Sequence, residues 1–366
     1  GEGLPMQTVE CCLTGSAYTV RIGPGLLRQV GREAKAAART TRTVLVSDTN
    51  VAGHYLAPAL ESLRAAGLEA ASAVVPPGES SKTLARAGEL HDACLQAGLD
   101  RGSVLVALGG GVVTDLAGFV AATYMRGIPW VAVSTTLLGQ VDAAVGGKTA
   151  VDHPECKNLI GAFHQPSSVL CDVATLATLP EEELRTGLAE VVKHAMIRDA
   201  ELFARLEREA DALLARDPAV LEPVVARNVH IKVEVVSADE RESDLRRILN
   251  YGHTIGHALE SLLNLAHGRA VALGMMAEAW IAERRGLVGR GVVERQKALL
   301  ERFGLPTALE APADPERCLA IMRHDKKAEA GRLCFVLPEA IGRVRVVADV
   351  SDDEIRAALD SLASAP

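Results

Sequence analysis

An α/β N-terminal domain with a mostly parallel, Rossmann-like sheet, followed by a mainly α-helical C-terminal domain, is the architecture that this sequence predicts. Three observations carry it. Short apolar runs alternate with helical segments across short joints as far as Thr178, the pattern of parallel strands linked by crossover helices. Beyond Thr178-Leu179-Pro180 the apolar periodicity is helical almost to the end. The 366 residues also exceed what one hydrophobic core ordinarily organises. The expected domains are residues 1–178 and 179–366.

Taken in order, residues 7–14 and 17–22 read as a hairpin turned near Gly15, and Gly23-Pro24-Gly25 leads into a helix over 26–39. The run TVLVS at 43–47 is a buried strand that ends in Asp48-Thr49-Asn50. A helix over 55–66, a strand over 70–75, the loop 77–82 and a helix over 83–97 follow. Residues 104–108 are apolar throughout, as in a strand covered on both faces. Next come Gly109-Gly110-Gly111, an apolar helix over 115–124, and further strands over 130–134 and 169–172. In the second domain, Pro180 and three acids open a helix over 181–198. Further helices are expected at 200–215, 218–238, 253–265, 269–286, 290–303, 314–324 and 352–363, with a short hairpin from 333–337 and 342–347.

Composition sets bounds on function. A formal charge of −8 argues against general binding of nucleic acid or membrane surfaces. Seven scattered cysteines without a CxxC fit a reduced, cytoplasmic setting. No apolar run is long enough to span a bilayer, and no signal peptide is visible. The GEGLP stretch before Met6 reads as an addition or a frayed start.

Chemistry concentrates first in residues 105–165. A buried strand, three glycines and a helix make a cradle in which backbone N–H groups and a helix dipole receive a pyrophosphate. Alone, Gly109–Gly111 would serve equally well as a tight strand–helix turn. Thr135-Thr136, Gly146-Gly147-Lys148 and Lys157-Asn158 follow closely and add further anion-binding groups. Asp48 is placed either to meet a ribose hydroxyl or to cap the next helix.

A second constellation lies in the helical half. His253 and His257 are four apart on one helix face. His267 lies beyond them, and Glu190 sits in an apolar helix where a lone carboxylate needs a partner. Three of these four could hold a divalent metal in an open arrangement, although HExxH is absent and a histidine pair alone more often caps or packs. Lys148, Lys157, Lys193, Lys232, Arg246 and Asp325-Lys326-Lys327 cluster around these motifs. Together they suit a small polyanion. Spacing alone points to a nucleotide-dependent, metal-assisted enzyme acting on an acidic phosphorylated metabolite.

The stretches GGGVVTDLAGFVAATYMRG, VSTTLLGQVDAAVGGKTAVDHPECKNLIGAFHQP, GLAEVVKHAMI, DERESDLRRILNYGHTIGHALE, HGRAVALGM and DKKAEAGRLCFVLPEAIG together resemble the 3-dehydroquinate synthase family, within the sugar-phosphate cyclases. The resemblance runs from about residue 17 to 349, with the motifs in the family's order. It implies conversion of 3-deoxy-D-arabino-heptulosonate 7-phosphate to 3-dehydroquinate and phosphate in the shikimate pathway, with catalytic NAD+ and Zn²⁺, or Co²⁺ in its place. It also implies an active site in the cleft between the two domains.

Residue by residue, the resemblance makes Glu190, His253 and His267 the metal ligands and His257 a supporting or proton-relay group. For NAD it implies Asp48, Asn50, Gly78, Glu79, Lys82, Gly110, Gly111, Val112, Thr114, Asp115, Thr135, Thr136, Lys148, Lys157, Thr175, Leu176 and Thr178. For the substrate it implies Asp142, Lys148, Asn158, Lys193, Lys232, Arg246, Asn250, His257 and Lys327, with Glu242 orienting Arg246. Arg126 matches an arginine that reaches the neighbouring subunit's phosphate, which implies a homodimer. Thr114 stands where many members carry glycine, and Arg269 where a glutamate is frequent. Competing readings are an aminodehydroquinate, 2-epi-5-epi-valiolone or 2-deoxy-scyllo-inosose synthase, a metal-dependent polyol dehydrogenase, and a non-enzymatic binding protein of the same descent.

Overall fold

The computed structural model describes residues 6–13, 16–238, 245–327 and 333–363, with the side chains of residues 13 and 325–327 outside that description. The chain divides into two compact units, Gly1–Pro180 with Arg216–Val233, and Glu181–Ala215 with Glu234–Pro366. This differs from a single cut at 178, because residues 216–233 group with the first unit. The helix that carries them keeps an apolar stripe along its whole length, with Leu221, Val225, Val229, Val235 and Val236 all buried, so no break in pattern marks the change of unit.

The first unit is built on seven strands. They are β1 (Gln7–Leu13), β2 (Ser16–Gly23), β3 (Arg42–Asp48), β4 (Glu69–Val75), β5 (Val104–Gly109) and β6 (Trp130–Ser134), joined by Ser168–Asp172, which is β9. A separate hairpin, β7 (Lys148–His153) with β8 (Cys156–Phe163), lies between β6 and β9 in sequence. The sheet order is β1-β2-β9-β6-β5-β3-β4. All neighbours are parallel except β1 and β2. Strands β5, β6 and β9 are buried at every residue, the expectation for a parallel sheet covered on both faces.

Helices α1 (Val30–Ala37), α2 (Thr49–Ala65), α3 (Leu84–Gln96) and α4 (Gly111–Thr123) complete the crossovers. Leu27, Val30, Ala34, Ala59 and Leu63 pack with Leu45, Val106, Val131 and Leu170 into one core. Two helices begin earlier than the sequence pattern predicts. The Asp48 carboxylate accepts the N–H groups of Asn50 and Val51 and starts α2 at once. The extended Gly110 lets α4 start at Gly111 without a connecting loop.

The second unit is mainly helical. Its elements are α5 (Glu181–Arg198), α6 (Ala200–Leu214), α8 (His253–Leu263), α9 (His267–Arg284), α10 (Arg290–Arg302), α11 (Pro315–Lys327) and α12 (Asp352–Ser361), with the hairpin β10 (Phe335–Ala340) and β11 (Arg343–Val347). Helix α7 (Pro218–Ala238) belongs to both units. Helix α12 carries a complete capping box between Ser351 and Glu354. No helix among the described residues is long and apolar enough to cross a membrane.

Close backbone approach sets the core of this unit. A Cβ on Gly274 of α9 would lie 1.9 Å from the Gly252 carbonyl oxygen and 2.8 Å from Gly256 N. A Cβ on Gly268 would lie 2.4 Å from Thr186 Cα of α5. These hydrogens-only surfaces bring α5, α8 and α9 together. Gly274→Ala gains helix propensity, but overpacking dominates, and a net loss of about 1–3 kcal/mol is expected. Chemical denaturation measures it, and a variant as stable as the parent would refute the close-contact reading.

Candidate active site

In the second unit, Glu190 lies mid-way along α5 with no exposed surface. His253 is the first residue of α8 and His267 the first of α9. His253 Nε2 is 3.3 Å and His267 Nε2 3.0 Å from the same oxygen, Glu190 Oε1. The outer nitrogens are also fixed, with His253 Nδ1 3.0 Å from the Tyr251 carbonyl and His267 Nδ1 3.1 Å from Glu260 Oε2. A carbonyl and a carboxylate only accept, so both Nδ1 atoms carry hydrogen.

The two Nε2 atoms face the carboxylate; His267 Nε2 donates a hydrogen to Glu190 Oε1, and a bound cation would take the place of that hydrogen. All three donor atoms lie within 4.8 Å of one another. Two imidazoles and a carboxylate, with the imidazoles held from behind, fit an open divalent-cation site.

The charges agree with that reading. Burial alone would raise the pKa of Glu190, but Lys193 and His253 hold it well below the usual carboxylate range. Burial would lower the pKa of His267, yet its bonds to Glu190 and Glu260 push it up to about 10. A cation would replace that proton. Lys193 is itself buried and ion-paired with Glu190 Oε2. His257 is exposed, its ring 5.1 Å from that of His253 and nearly perpendicular to it.

In the first unit the sheet order turns back at β3, with β4 on one side and β5 on the other. Ligands of open parallel sheets bind at such a reversal, beyond the strands' carboxyl ends. Asp48 ends β3, Gly109–Gly111 follow β5, Thr135-Thr136 follow β6, and Thr175, Leu176 and Thr178 follow β9. Four neighbouring strands therefore deliver these residues to one edge. A Cβ on Gly110 would lie 2.8 Å from Thr136 Cγ2. The first turn of α4 has no side-chain cap, which leaves its N–H groups to a ligand.

Beside this edge, Lys82 is buried and joins three elements. Its Nζ is 2.8 Å from Asp115 Oδ2 and 3.6 Å from Glu79 Oε1, and it donates to Asn158 Oδ1. Burial raises the pKa of Asp115 despite Lys82, and burial with neighbouring Asp152 raises that of Glu79. Asp142, in a π-helical turn, receives Lys232 Nζ on both its carbonyl, at 2.9 Å, and its carboxylate.

Two family profiles match the chain, "3-dehydroquinate synthase N-terminal" over residues 72–186 and "3-dehydroquinate synthase C-terminal" over 187–328. The 3-dehydroquinate synthase of Symbiobacterium thermophilum is 51% identical over 349 residues, covering 94% of this chain and 98% of that protein. The chain belongs to the 3-dehydroquinate synthase family. Its fold is shared by the 2-epi-5-epi-valiolone synthase of Streptomyces hygroscopicus subsp. jinggangensis with NAD⁺ and Zn²⁺ bound, at a TM-score of 0.88 and 33% identity over 96% of this chain and 98% of that one. A 2-deoxy-scyllo-inosose synthase complexed with carbaglucose-6-phosphate, NAD⁺ and Co²⁺ matches at a TM-score of 0.87 and 26% identity, over 97% and 100% of the two chains.

Within this family member, several expected ligand residues already have intramolecular partners. Asp48 caps α2, while Asn50 is exposed on its first turn. Thr114 Oγ1 donates to the Gly111 carbonyl at 3.1 Å, and Thr175 Oγ1 to that of Asp172 at 2.7 Å. Thr136 Oγ1 accepts the Gly139 N–H at 3.0 Å. Gly78 has φ +92° and Val112 lies in the first turn of α4. Lys148 and Lys157 are exposed on the β7–β8 hairpin. Arg246 is buried in a 3-10 turn that ends at the exposed Asn250. Arg126 is exposed, and it and Met125 have φ of 68° and 51°. Glu242 and the side chain of Lys327 lie outside the described residues.

Other structural residues escaped the sequence reading. Gln140, wholly buried, donates from Nε2 to the Ser134 and Asp172 carbonyls, both at 3.0 Å, and ties β6 to β9. Asp172 accepts the N–H groups of Gly25 and Leu27 at 2.9 and 2.8 Å. Tyr55 OH is 2.7 Å from Thr178 Oγ1. Glu260 was missed although it is three residues past His257 on the same helix, a spacing that marked a neighbour.

Replacing Lys82 by Met should leave Asp115 without its counter-charge and lower stability by about 1–3 kcal/mol at neutral pH, less than for a fully buried pair. The Asp115 pKa, already raised, rises further, so its folded form gains protons relative to the unfolded chain. The deficit should therefore shrink as pH falls toward the acid range. Melting curves at several pH values check this, and a deficit constant with pH would refute it.

Proposed function

We infer that this chain is a 3-dehydroquinate synthase, a carbon–oxygen lyase that converts 3-deoxy-D-arabino-heptulosonate 7-phosphate to 3-dehydroquinate and phosphate. Family membership over nearly the whole chain supports the activity. The observation that carries the site is the convergence of two back-anchored imidazoles on one buried carboxylate oxygen. The first unit is read as the NAD-binding domain and the second as the metal- and substrate-binding domain. Bound to them, NAD⁺ supplies reversible hydride transfer at the substrate's C5, and Zn²⁺ or Co²⁺ supplies polarisation of the adjacent oxygens.

The chain's own residues account for the rest. Glu190, His253 and His267 are the metal-holding groups. Lys193 and Arg246, both buried, supply fixed cations for a substrate that carries a phosphate and a carboxylate. Lys148, Lys232, Asn158, Asn250 and Lys327 join them, with Glu242 orienting Arg246. Asp142 holds Lys232, and His257 relays protons beside the imidazole pair. Asp48, Asn50, Gly78, Glu79, Lys82, Gly110, Gly111, Val112, Thr114, Asp115, Thr135, Thr136, Lys148, Lys157, Thr175, Leu176 and Thr178 are assigned to NAD. A C5 ketone would acidify the neighbouring proton and so make elimination of phosphate feasible, and the cations Lys193 and Arg246 would hold the departing phosphate. Ring closure needs chiefly a held conformation.

The protein is read as a homodimer in which Arg126 serves the neighbouring subunit's phosphate site. Its exposure and left-handed backbone, a conformation that non-glycine residues adopt rarely, support a specific role. Seven free thiols fit a cytoplasmic location.

The deciding assay is phosphate release from the heptulosonate phosphate with NAD⁺ present and unconsumed. Accumulating NADH would instead identify a polyol dehydrogenase, and preference for the amino analogue an aminodehydroquinate synthase. Exhaustive chelation should abolish turnover, with recovery on adding Zn²⁺; activity that survives complete metal removal contradicts the ligand set. Arg126→Ala should be inactive alone yet recover about a quarter of wild-type activity when reassorted with His253→Ala, because each mixed dimer then has one complete site. No recovery in demonstrably mixed dimers rules out the shared site.

A further inference from the structure

His253 is aimed by a corner of backbone that is itself held from two other helices. Gly252 precedes it with φ +77°, a left-handed conformation at the N-terminus of α8. The Gly252 N–H donates to Glu278 Oε2 at 2.7 Å, and Glu278 lies on α9 with no exposed surface. Tyr251, also wholly buried, presents the carbonyl that takes the His253 Nδ1 hydrogen. Its hydroxyl donates to Gln296 Oε1 of α10 at 2.6 Å, and Gln296 Nε2 donates to the Met275 carbonyl of α9 at 3.2 Å.

A buried carboxylate is expensive unless hydrogen-bonded. Here it meets the positive end of α8, where a negative charge stabilises the helix. A glycine cannot cap α8 with its own side chain, and Glu278 supplies that function from the next helix. The same bond fixes where α8 starts, and His253 is its first residue.

We propose that Glu278 and the Tyr251–Gln296 pair are positioning residues for the metal centre: they lock the Tyr251-Gly252 corner so that His253 keeps Nε2 facing Glu190, where a cation would be held. None of the three is one of the Glu190–His253–His267 donors. They act on the tautomer and direction of one imidazole, and support of this kind typically changes metal affinity about 10–100-fold. The proposal rests on the metal assignment made above.

The test is titration of the metal-stripped full chain with Zn²⁺ against a chromophoric chelator, with the visible spectrum of the Co²⁺-loaded protein as the geometric readout. Glu278→Ala should weaken Zn²⁺ binding about 10–100-fold and alter the Co²⁺ bands. Glu278→Gln, which keeps an acceptor for the Gly252 N–H, should restore most of both. Tyr251→Phe removes the hydroxyl anchor but keeps the carbonyl, and should weaken Zn²⁺ binding about tenfold even if Glu278→Ala fails to fold.

A purely structural role would lower the melting temperature of the metal-free variants and leave Zn²⁺ affinity and the Co²⁺ spectrum of folded protein unchanged. That result overturns the proposal. His253→Ala is the control: if it binds Zn²⁺ like the parent, or the parent binds none, the metal assignment itself falls. Zn²⁺ binding that depends on His253 but not on Glu278 or Tyr251 overturns the positioning role alone.

Discussion

A carboxylate with no exposed surface sits at the heart of the second unit, and its surroundings are arranged around it. Glu190 faces Lys193 on one oxygen and two imidazoles on the other. An isolated buried charge would be prohibitive, so the helices that carry its partners must meet α5 closely. They do so through glycine. Gly268 brings α9 onto Thr186, and Gly274 brings α9 onto the first turn of α8. Each approach leaves no room for a methyl group. Packing and electrostatics thus enforce one another, since the contact that fills the core also delivers the charge partners.

The first unit solves a different problem by repetition. Its parallel strands must be buried on both faces, and β5, β6 and β9 are. That burial leaves Asp48, Gly109–Gly111 and Thr135-Thr136 at the strand ends. Because the strands run the same way, their carboxyl ends gather on one edge, and the turn-back at β3 opens it. Lys82 then braces the edge. It links the loop after β4, the first turns of α4 and the β7–β8 hairpin through Glu79, Asp115 and Asn158. Burial would lower its pKa, but Asp115 together with Glu79 and Asp152 raises it, so its charge is retained.

Much of this is legible in the amino-acid sequence. Helix α5 spans the residues that Pro180 and the acidic opening of 181–183 predict, because local capping and dipole chemistry decide such boundaries. The starts of α2 and α4 were less legible. Asp48 could cap a helix or meet a ribose, and the chain shows it capping. Gly110 could bend a turn or seat a phosphate, and close packing on Thr136 is what its missing side chain allows. The hairpin of β7 and β8 gave little periodic signal, since β8 is largely exposed. The reach of residues 216–233 into the first unit left no local mark either.

Fold class, the sheet-then-helix order and the chemical types present are all readable along the chain, because periodicity, caps and turn residues act over a few residues. The sequence also carries the family resemblance, through motifs spread along it. Folding alone brings His253 and His267 to one oxygen of Glu190, sets Glu260 and the Tyr251 carbonyl against their outer nitrogens, and places Glu278 at the corner before His253. The Glu190 and Glu278 contacts depend on atoms brought within about 3 Å across tens of residues of chain, and the Glu260 contact on the turn between α8 and α9. No local pattern encodes such distances; they arise when helices close on one another through particular glycines.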